Sequence, residues 1–569
     1  MNDNKNDLPK LRHSAAHLLA HAIKELYPNT LLTIGPATKE GFFYDFLPEK
    51  NFKLEDLPAI EKRMHEIADR NLPITHTQIP KDKAREIFAG NPFKLELIEQ
   101  IPDNTVGLSQ QGDFYDLCRG GHVDSTGEIK HFTLLGISGA YWRADKKNAA
   151  LQRISGTAFY SQEDLDEYLA RKEQAAQFDH RKLGKQLDFF SFHPEAIGFP
   201  FFHPKGKIIL NELTNYLRKL QTQHNYQEIS TPMLLNDELW KRSGHYAFYK
   251  DNMYFCDIDD ETYAIKPMNC PGAFLLYNER PHSYRELPLR LSEFGLVHRH
   301  ELSGVLHGLL RVRAFTQDDA HIMCSVEQLE TEIQDIIELT YAVLKRFDFP
   351  NIKVALSTKP ESAMGSDELW HKAEKALENA LKKSNLEYTI QEGEGAFYGP
   401  KIEFKILDSM KREWQCGTIQ VDFFQPENFD LTYVASSGKK KRPVIIHRAI
   451  YGSLERFFAI LLEHYKGNLP FWLAPVQIKI LTITDAQKDY AASILDILKK
   501  QHLRAEMDTT SDPISGQIKN AQMEKIPWML VLGKKEEANN TITLRYFDGK
   551  QEFNLSIDDI LQKAHELQK

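Results

Sequence analysis

Along residues 11–27, LRHSAAHLLAHAIKELY, apolar side chains recur at helical spacing, which predicts an amphipathic helix. Between 91 and 160 the pattern changes to short runs that read as strands and turns. These are NPFKLELI, GDFYDLCRGGHV, GEIKHFTLLGIS and AYWRA, punctuated by Gly and Pro. The first stretch, 1–158, therefore reads as one α+β domain. A highly charged helical pattern follows, SQEDLDEYLARKEQAAQFDHRKLGKQL, opened by Ser161 and Asp164 in the manner of a capping box. It predicts a solvated connecting helix over 159–187. From GFPFFHPKGKIILNELTNYLRKLQ onward, strands and helices alternate through 188–468. LPFWLAPVQIKILTI then starts a new series: strand, helix at 486–500, strand, helix near 514–524, strand PWMLVLG, two more strands and a final helix. That series predicts an α/β domain with a mixed sheet over 469–569.

Within the large central region, FGLVHRHE, LSGVLHGLL and RVRAFTQDDAHI read as strand, loop and strand of an antiparallel hairpin. Alternation would turn Arg299 and Glu301 to one side, and Gln317, Asp319 and His321 likewise on the return strand. A guanidinium can clamp a phosphate, a carboxylate can accept from an amine, and an imidazole can ligate a metal. The face suits a triphosphate and an amine side by side. A polar hairpin with surface ion pairs is the plainer alternative, and five such side chains on one face weaken it.

Length and composition limit the classes. With 569 residues the chain exceeds one core. A hydrophobic share of 42% and a charged share of 27% suit a soluble globular protein. The net charge of −9 means that a nucleic-acid partner would have to be held by local basic patches; the run Lys439–Arg442 is the one short basic tract. Five cysteines, an odd count, point to a reducing, cytoplasmic setting. The polar start MNDNKNDLPK carries no secretory pattern, and no run of about 18 apolar residues predicts a membrane span.

Metal binding needs more donors than His321. KPMNCPGA places Cys270 in a Pro-bounded loop, and VIIHRAIYGSLERF places His447 at a strand-to-helix junction. A Cys/His/His set leaves one tetrahedral position open, although each residue alone is more often an ordinary buried side chain. In the N-terminal domain His17 and His21 form H-x-x-x-H on one helix face, and Cys118 and His122 form C-x-x-x-H.

LDFFSFHPEAIGFPFFHPKG, EISTPML, IKPMNCPG, EFGLVHRHELSGVLHGLLRVRAFTQDDAHI, EGAFYGPKIEF, WQCGTIQVDF and VIIHRAIYGSLERF resemble, in order, the core of the threonyl-tRNA synthetases. These are class II aminoacyl-tRNA synthetases, and the resemblance runs over nearly the whole chain from about residue 11. It implies an α+β and α/β multidomain protein: an α+β editing domain, a class II antiparallel-sheet catalytic core and a C-terminal α/β anticodon-binding domain. It implies that Arg299 and Arg456 grip the ATP phosphates, assisted by Arg311, with Glu301 near the adenine and Phe315 stacked on it. Gln317 and Asp319 would lie near the threonine ammonium, and Tyr398, Lys401, Gln415, Thr418 and Gln420 around the adenylate. Cys270, His321 and His447 would bind one zinc ion per chain, and magnesium would accompany ATP. His245 resembles the histidine implicated in transfer to tRNA(Thr), and Thr231-Pro232 lies in the stretch that builds a homodimer interface.

A zinc site that accepts threonine through amine and hydroxyl rejects valine but not serine. One methyl group is worth only about 1–3 kcal/mol, so hydrolytic editing is expected. The pairing of H-x-x-x-H with C-x-x-x-H resembles the editing domain shared with alanyl-tRNA synthetases, with Lys94 and Asp116 matching further residues of that pocket. The family's usual CRGPH is CRGGH here, which bears on the rigidity of the loop. A small ubiquitin-like domain usual in bacterial members is expected to be absent. In the C-terminal domain Thr510 and Ser511 stand where Arg and Asn are usual, whereas Glu536 and Arg545 match anticodon-reading positions. Two rivals remain: a synthetase-like regulator, which should have lost Arg299, Arg311 and Arg456, and a zinc hydrolase, which would lack the H-E-x-x-H base and leave residues 188–569 without explanation.

Overall fold

The computed structural model describes residues 7–145, 147–349 and 351–568. The chain divides into two compact units, Met1–Glu173 and Gln174–Lys569. In the first, the helix Leu8–Leu26 buries Leu11, Ala15, Leu18, Leu19, Ala22 and Ile23 at helical spacing. It packs on a four-stranded sheet ordered Leu31–Leu32, Phe42–Leu47, Ala150–Phe159, His131–Tyr141, with the helix Leu57–Asp69 completing the core. A three-stranded sheet, Ile74–Pro80, Thr105–Gln111 and Phe114–Leu117, leads into the loop that carries Cys118 and His122.

One expectation fails here. NPFKLELI, read as a strand, is the helix Pro92–Gln100. Asn91 accepts hydrogen bonds from the amides of Phe93 and Lys94, and Pro92 occupies the first turn, where its missing N–H costs nothing. The cap outweighs the local β pattern, and the helix delivers Lys94 to the interior.

The connecting segment is helical in two pieces, Gln162–Gln177 and His180–Gln186, rather than one. Ser161 Oγ accepts from the Asp164 amide at 3.1 Å, as the capping reading requires. Asp179 breaks the run and caps the second piece through the Arg181 amide at 2.8 Å.

The second unit is built on an eight-stranded sheet. Its order is Gln227–Glu228, Leu289–His298, Ala314–Cys324, Val444–Ala449, Glu413–Asp422, Lys401–Leu407, Ile352–Ser357, Tyr388–Gln391. The inner pairs are antiparallel and the two outermost pairs parallel. Helices Pro204–Gln223, Leu329–Lys345, Asp367–Lys383 and Leu454–His464 contribute to one large apolar core with the sheet. Register places His321 opposite His447, His447 opposite Gln420, and Gln420 opposite Lys401. Two residues along, Asp319 and Thr418 share the same face by the pleat.

The hairpin forms, but its return strand begins at Ala314, not Arg311. Residues 299–313 make a loop with two 3-10 turns, Ser303–Val305 and Gly308–Leu310, because Leu309 and Leu310 are drawn into the core. Strand alternation therefore does not govern Arg299, Glu301 or Arg311. Cys270 likewise opens the helix Cys270–Asn278 rather than lying in a free loop.

The C-terminal part has the expected mixed sheet, ordered Ala505–Met507, Ile478–Thr482, Trp528–Leu532, Ile542–Tyr546, Gln551–Leu555, with the first three strands parallel. Helices Lys488–Lys500, Ile514–Met523 and Ile557–Gln568 fall where the sequence predicts them, and a short helix, Lys534–Asn539, is additional. Among the described residues no helix is long and apolar enough to cross a membrane.

Candidate catalytic cavity and a second polar cluster

The exposed face of the eight-stranded sheet floors a cavity of about 460 Å³. Arg299, Gln317, Asp319, Tyr398, Lys401, Thr418, Gln420, Cys270, His321 and His447 all line it, together with Tyr249 and Met268, which sequence reasoning did not single out. One donor atom each from Cys270, His321 and His447 lies within 4.8 Å of the others, and all three side chains are buried. His321 Nε2 has no hydrogen-bond partner. His447 Nε2 lies 3.0 Å from Asp422 Oδ2, which orients the ring, a role for Asp422 that its own position in the sequence does not announce. Burial, with His447 and Arg448, holds His321 well below the usual imidazole range and so neutral. Burial, with Asp319 and Asp422, raises the Cys270 thiol well above its usual range. A thiolate there needs a cation beside it, and a neutral imidazole with an idle nitrogen is a ready ligand.

Beside these donors, Asn269 Nδ2 donates to Asp319 Oδ2 at 3.2 Å. Burial raises Asp319 to about 6. Tyr398 donates its hydroxyl to Gln420 Oε1. The Arg299 guanidinium lies 5.0 Å from the Phe315 ring centre and 5.5 Å from that of Tyr249, and its Nε donates to the Pro267 carbonyl at 3.2 Å. Arg311 pairs with Glu301 at 2.9 Å. Glu403 gathers Lys401 at 2.6 Å and Gln415 at 2.7 Å.

Arg456 sits in the first turn of Leu454–His464, with a buried Nε that lacks a partner. The turn before that helix is held by Asp318, which accepts from the amides of Ile450 at 2.7 Å, Tyr451 at 3.1 Å and Gly452 at 3.0 Å. Ser453 then caps the helix through the Arg456 amide at 3.2 Å. His245 does not line the cavity. It is buried behind Met268, with Nε2 2.9 Å from the Met268 sulfur and Nδ1 2.7 Å from Ser243 Oγ. Burial, then His447 and Arg299, lower it to about 3, so it is neutral at physiological pH.

In the first unit the polar cluster differs from the expected one by a helical turn. His13, His17, Cys118 and His122 each bring a donor atom within 4.8 Å of the others. His21 does not join them. A further four residues along the helix carry it about 6 Å away from His17, where it stacks on Phe114 and lies 3.3 Å from Glu25, facing a cavity that Lys94 also lines. HSAAHLLAH contains two H-x-x-x-H pairs, and spacing alone could not rank them. The hydroxyl of Ser14, 3.2 Å from His122 Nδ1, marks the face that the first pair occupies.

Cys118 Sγ lies 3.1 Å from His13 Nε2 and 3.0 Å from His122 Nε2. Burial opposes ionisation of the thiol, but hydrogen bonds from His122, His13 and His17 outweigh it and lower the group to about 3. Asp116 is fully buried between Lys94, with which it pairs, and Tyr44, which donates to it at 2.7 Å. His17 Nδ1 is 3.1 Å from Asp116 Oδ2, an ion-pair distance without hydrogen-bond alignment. Burial works against the imidazolium, yet Asp116 and Cys118 prevail and raise His17 to about 9. Ammonium, carboxylate, imidazolium and thiolate thus alternate in sign through a buried site. The CRGGH loop has Gly120 at φ +93° and Gly121 at φ +84°. Proline cannot adopt the latter, so the loop is shaped differently from one built on CRGPH.

Glu536 and Arg545 are brought to one region of the C-terminal part. Glu536 accepts from Thr543 Oγ1 at 2.9 Å, and Thr543 and Arg545 are two apart on the strand Ile542–Tyr546. Thr510 is exposed and donates its hydroxyl to Asp508 at 2.6 Å.

Residues 254–465 match the tRNA synthetase class II core domain (G, H, P, S and T), residues 473–567 the anticodon binding domain, and residues 106–155 the threonyl and alanyl tRNA synthetase second additional domain. The chain is 52% identical over 546 residues to a threonine–tRNA ligase of Clostridium tetani, covering 95% of this chain and 85% of that one. It is 50% identical over 562 residues to the threonine–tRNA ligase of Carboxydothermus hydrogenoformans, covering 98% and 88%. A crystal structure titled as the RNA binding domain of threonyl-tRNA synthetase from Cryptosporidium parvum superimposes with a TM-score of 0.67 at 40% identity, covering 68% of this chain and 98% of that one.

The buried charges make the first unit's stability depend on pH. His17 is raised in the fold to about 9, so its contribution is complete below the ordinary imidazole value of about 6.5 and is lost as pH rises through 9. Asp116 is depressed well below the usual carboxylate range, so its contribution is present above that range and lost in acid. Cys118 acts in the opposite sense, because its depressed thiol adds stability as pH rises towards the ordinary thiol range, so thermal unfolding or hydrogen exchange of the first unit should show the two largely offsetting one another between pH 6.5 and 9. His17→Gln should remove the falling component and leave stability rising with pH, and an unchanged profile would show that His17 is not charged in the fold.

Proposed function

The chain belongs to the threonine–tRNA ligase family, and from that premise we propose how its residues divide the work. It activates threonine with ATP and transfers it to tRNA(Thr), and it carries the domain associated with hydrolysis of mischarged seryl-tRNA(Thr). The domains read as 1–158 editing, 159–187 connecting, 188–468 catalytic and 469–569 anticodon-binding. The observation that carries the catalytic reading is the cavity itself. A Cys/His/His donor set, an acid and an amide, and an arginine line one cavity over an antiparallel sheet, with Cys270 delivered by a helix and Arg299 by the loop after the strand.

Cys270, His321 and His447 would hold the zinc ion. When bound, the metal supplies an open position for the amine and hydroxyl of threonine, which is the basis for refusing valine. Asp319 and Gln317 would orient the ammonium. Arg299 and Arg456, assisted by Arg311, would bind the ATP phosphates, with magnesium accompanying the nucleotide and Phe315 and Glu301 on the adenine side. A carboxylate oxygen of threonine attacks the α-phosphorus, the bond to pyrophosphate breaks, and the arginines offset the charge that develops on the departing group. The terminal ribose hydroxyl of tRNA then attacks the carbonyl of the adenylate and AMP leaves. His245 would serve the transfer step by the family resemblance, but behind Met268 and lowered to about 3 it is a poor proton acceptor, so its part would be to orient the tRNA terminus and not to act as a base. Tyr398, Lys401, Gln415, Thr418 and Gln420 would hold the adenylate.

In the first unit, His13, His17, Cys118 and His122, with Lys94 and Asp116, would bind and orient the water that cleaves the seryl ester. Glu536 and Arg545 would read the anticodon. A homodimer is supported by the exposed Met233 and Leu234 next to Thr231-Pro232 and by Leu275 and Leu276, exposed on the helix Cys270–Asn278. The five free cysteines suit a cytoplasmic setting.

Arg299→Ala should lower threonine-dependent ATP–pyrophosphate exchange by two or more orders of magnitude with the fold intact, and near-normal exchange would sink the phosphate assignment. The purified chain should contain about one tightly bound zinc ion, and Cys270→Ser should reduce both metal content and threonine affinity; full retention of both would remove the metal reading. Replacing His13 and His17 with alanine should leave threonylation near normal while slowing deacylation of preformed seryl-tRNA at least tenfold, whereas replacing His21 alone should have a smaller effect. Equal deacylation by wild type and the double variant would take editing away from this cluster.

A further inference from the structure

Outside the cavity, the second unit holds a fully buried histidine that the mechanism above does not use. His180, the first residue of His180–Gln186, has no exposed surface. Its Nδ1 lies 2.6 Å from Glu463 Oε1, and its own amide donates to the same oxygen at 2.9 Å. Its Nε2 accepts from the amide of Leu309 at 3.0 Å. Glu463 is in turn paired with Arg412. A carboxylate accepting at Nδ1 fixes the proton there and leaves the Nε2 lone pair for Leu309. Although Asp179, His180 and Glu463 have donor atoms near one another, both ring nitrogens and both carboxylates are already engaged, Asp179 by Arg181. The group is a hydrogen-bond relay and not a ligand cradle.

We propose that His180 is the positioning residue of the 299–313 loop, acting through the Leu309 amide to set Arg311 and Glu301 for ATP. This rests on the reading of that loop as part of the ATP site. Three observations carry it. The ring is wedged against the loop: Gly308 has φ +50°, and a Cβ there would lie 2.1 Å from His180 Nε2. The segment beyond Leu309 is short and closed, since His307 and Arg311 pair through both backbone bonds, at 3.1 and 3.3 Å. Fixing Leu309 therefore fixes Arg311, whose guanidinium pairs with Glu301. Lastly, the Leu309 amide is buried, so without an acceptor it would be left unsatisfied, and the loop would move to relieve it.

The test separates the two ring nitrogens. In full-length protein, His180→Asn keeps a donor for Glu463 and loses the acceptor for Leu309, whereas His180→Gln keeps an acceptor near the Nε2 position. ATP–pyrophosphate exchange should show the KM for ATP raised about tenfold in His180→Asn with the KM for threonine little changed, and His180→Gln should restore most of the ATP affinity. Equal KM values for ATP in His180→Asn and wild type, or equal defects in both variants, would overturn the proposal. If His180→Asn does not fold, hydrogen exchange of the Leu309 amide decides. It should be protected in wild type and faster in Glu463→Gln, and equal protection would overturn the proposal. Arg311→Ala serves as the separate control: an unchanged KM for ATP there would mean that the loop reading has failed, whereas a raised KM with an indifferent His180→Asn would mean that only the positioning has failed.

Discussion

Asp318 is the residue on which the catalytic half turns. It lies between Gln317 and Asp319, which face the cavity, and the pleat of the strand sends its own side chain to the opposite side of the sheet. There its carboxylate accepts the amides of Ile450, Tyr451 and Gly452 and lies 3.7 Å from Arg448. Each of those buried amides would cost about 1–3 kcal/mol if left without an acceptor. One carboxylate thus ties the strand that brings Gln317, Asp319 and His321 to the cavity to the turn that launches the helix bearing Arg456. Gly452, at φ +82° with the Cys416 carbonyl 2.9 Å from where a Cβ would lie, makes the tight turn possible.

The sheet register does the rest of the assembly. Residues drawn from four segments, His321, His447, Gln420 and Lys401, fall on one cross-strand row. Nothing in their spacing along the chain brings them together. The proximity comes from backbone pairing, so a register slip of one residue would turn every one of them away from the cavity. This explains why the core behind the sheet is so extensively apolar. It fixes register by burying the alternate residues.

Much of this was legible beforehand where one physical rule dominated. The amphipathic first helix, the α/β pattern after residue 469 and the shared face of Gln317, Asp319 and His321 all follow from periodicity. The errors have equally definite causes. The NPFKLELI run obeyed its Asn91 cap and not its apolar content. The loop arginines escaped strand alternation because Leu309 and Leu310 were drawn into the core. Spacing does not separate His13 from His21, because a period of four residues is satisfied by either pair, and it is the arrival of Cys118 and His122 from a distant loop that gathers His13 with His17. Met268, Ser243 and Asp422 gave no signal because each acts through a neighbour that only the folded chain supplies.

The left-handed glycine at 121 limits which residues this loop can take. A proline at that position would demand a backbone angle of opposite sign, so Gly121→Pro could not be accommodated with the loop as it stands. Neighbouring positions would have to change with it, Gly120 first among them.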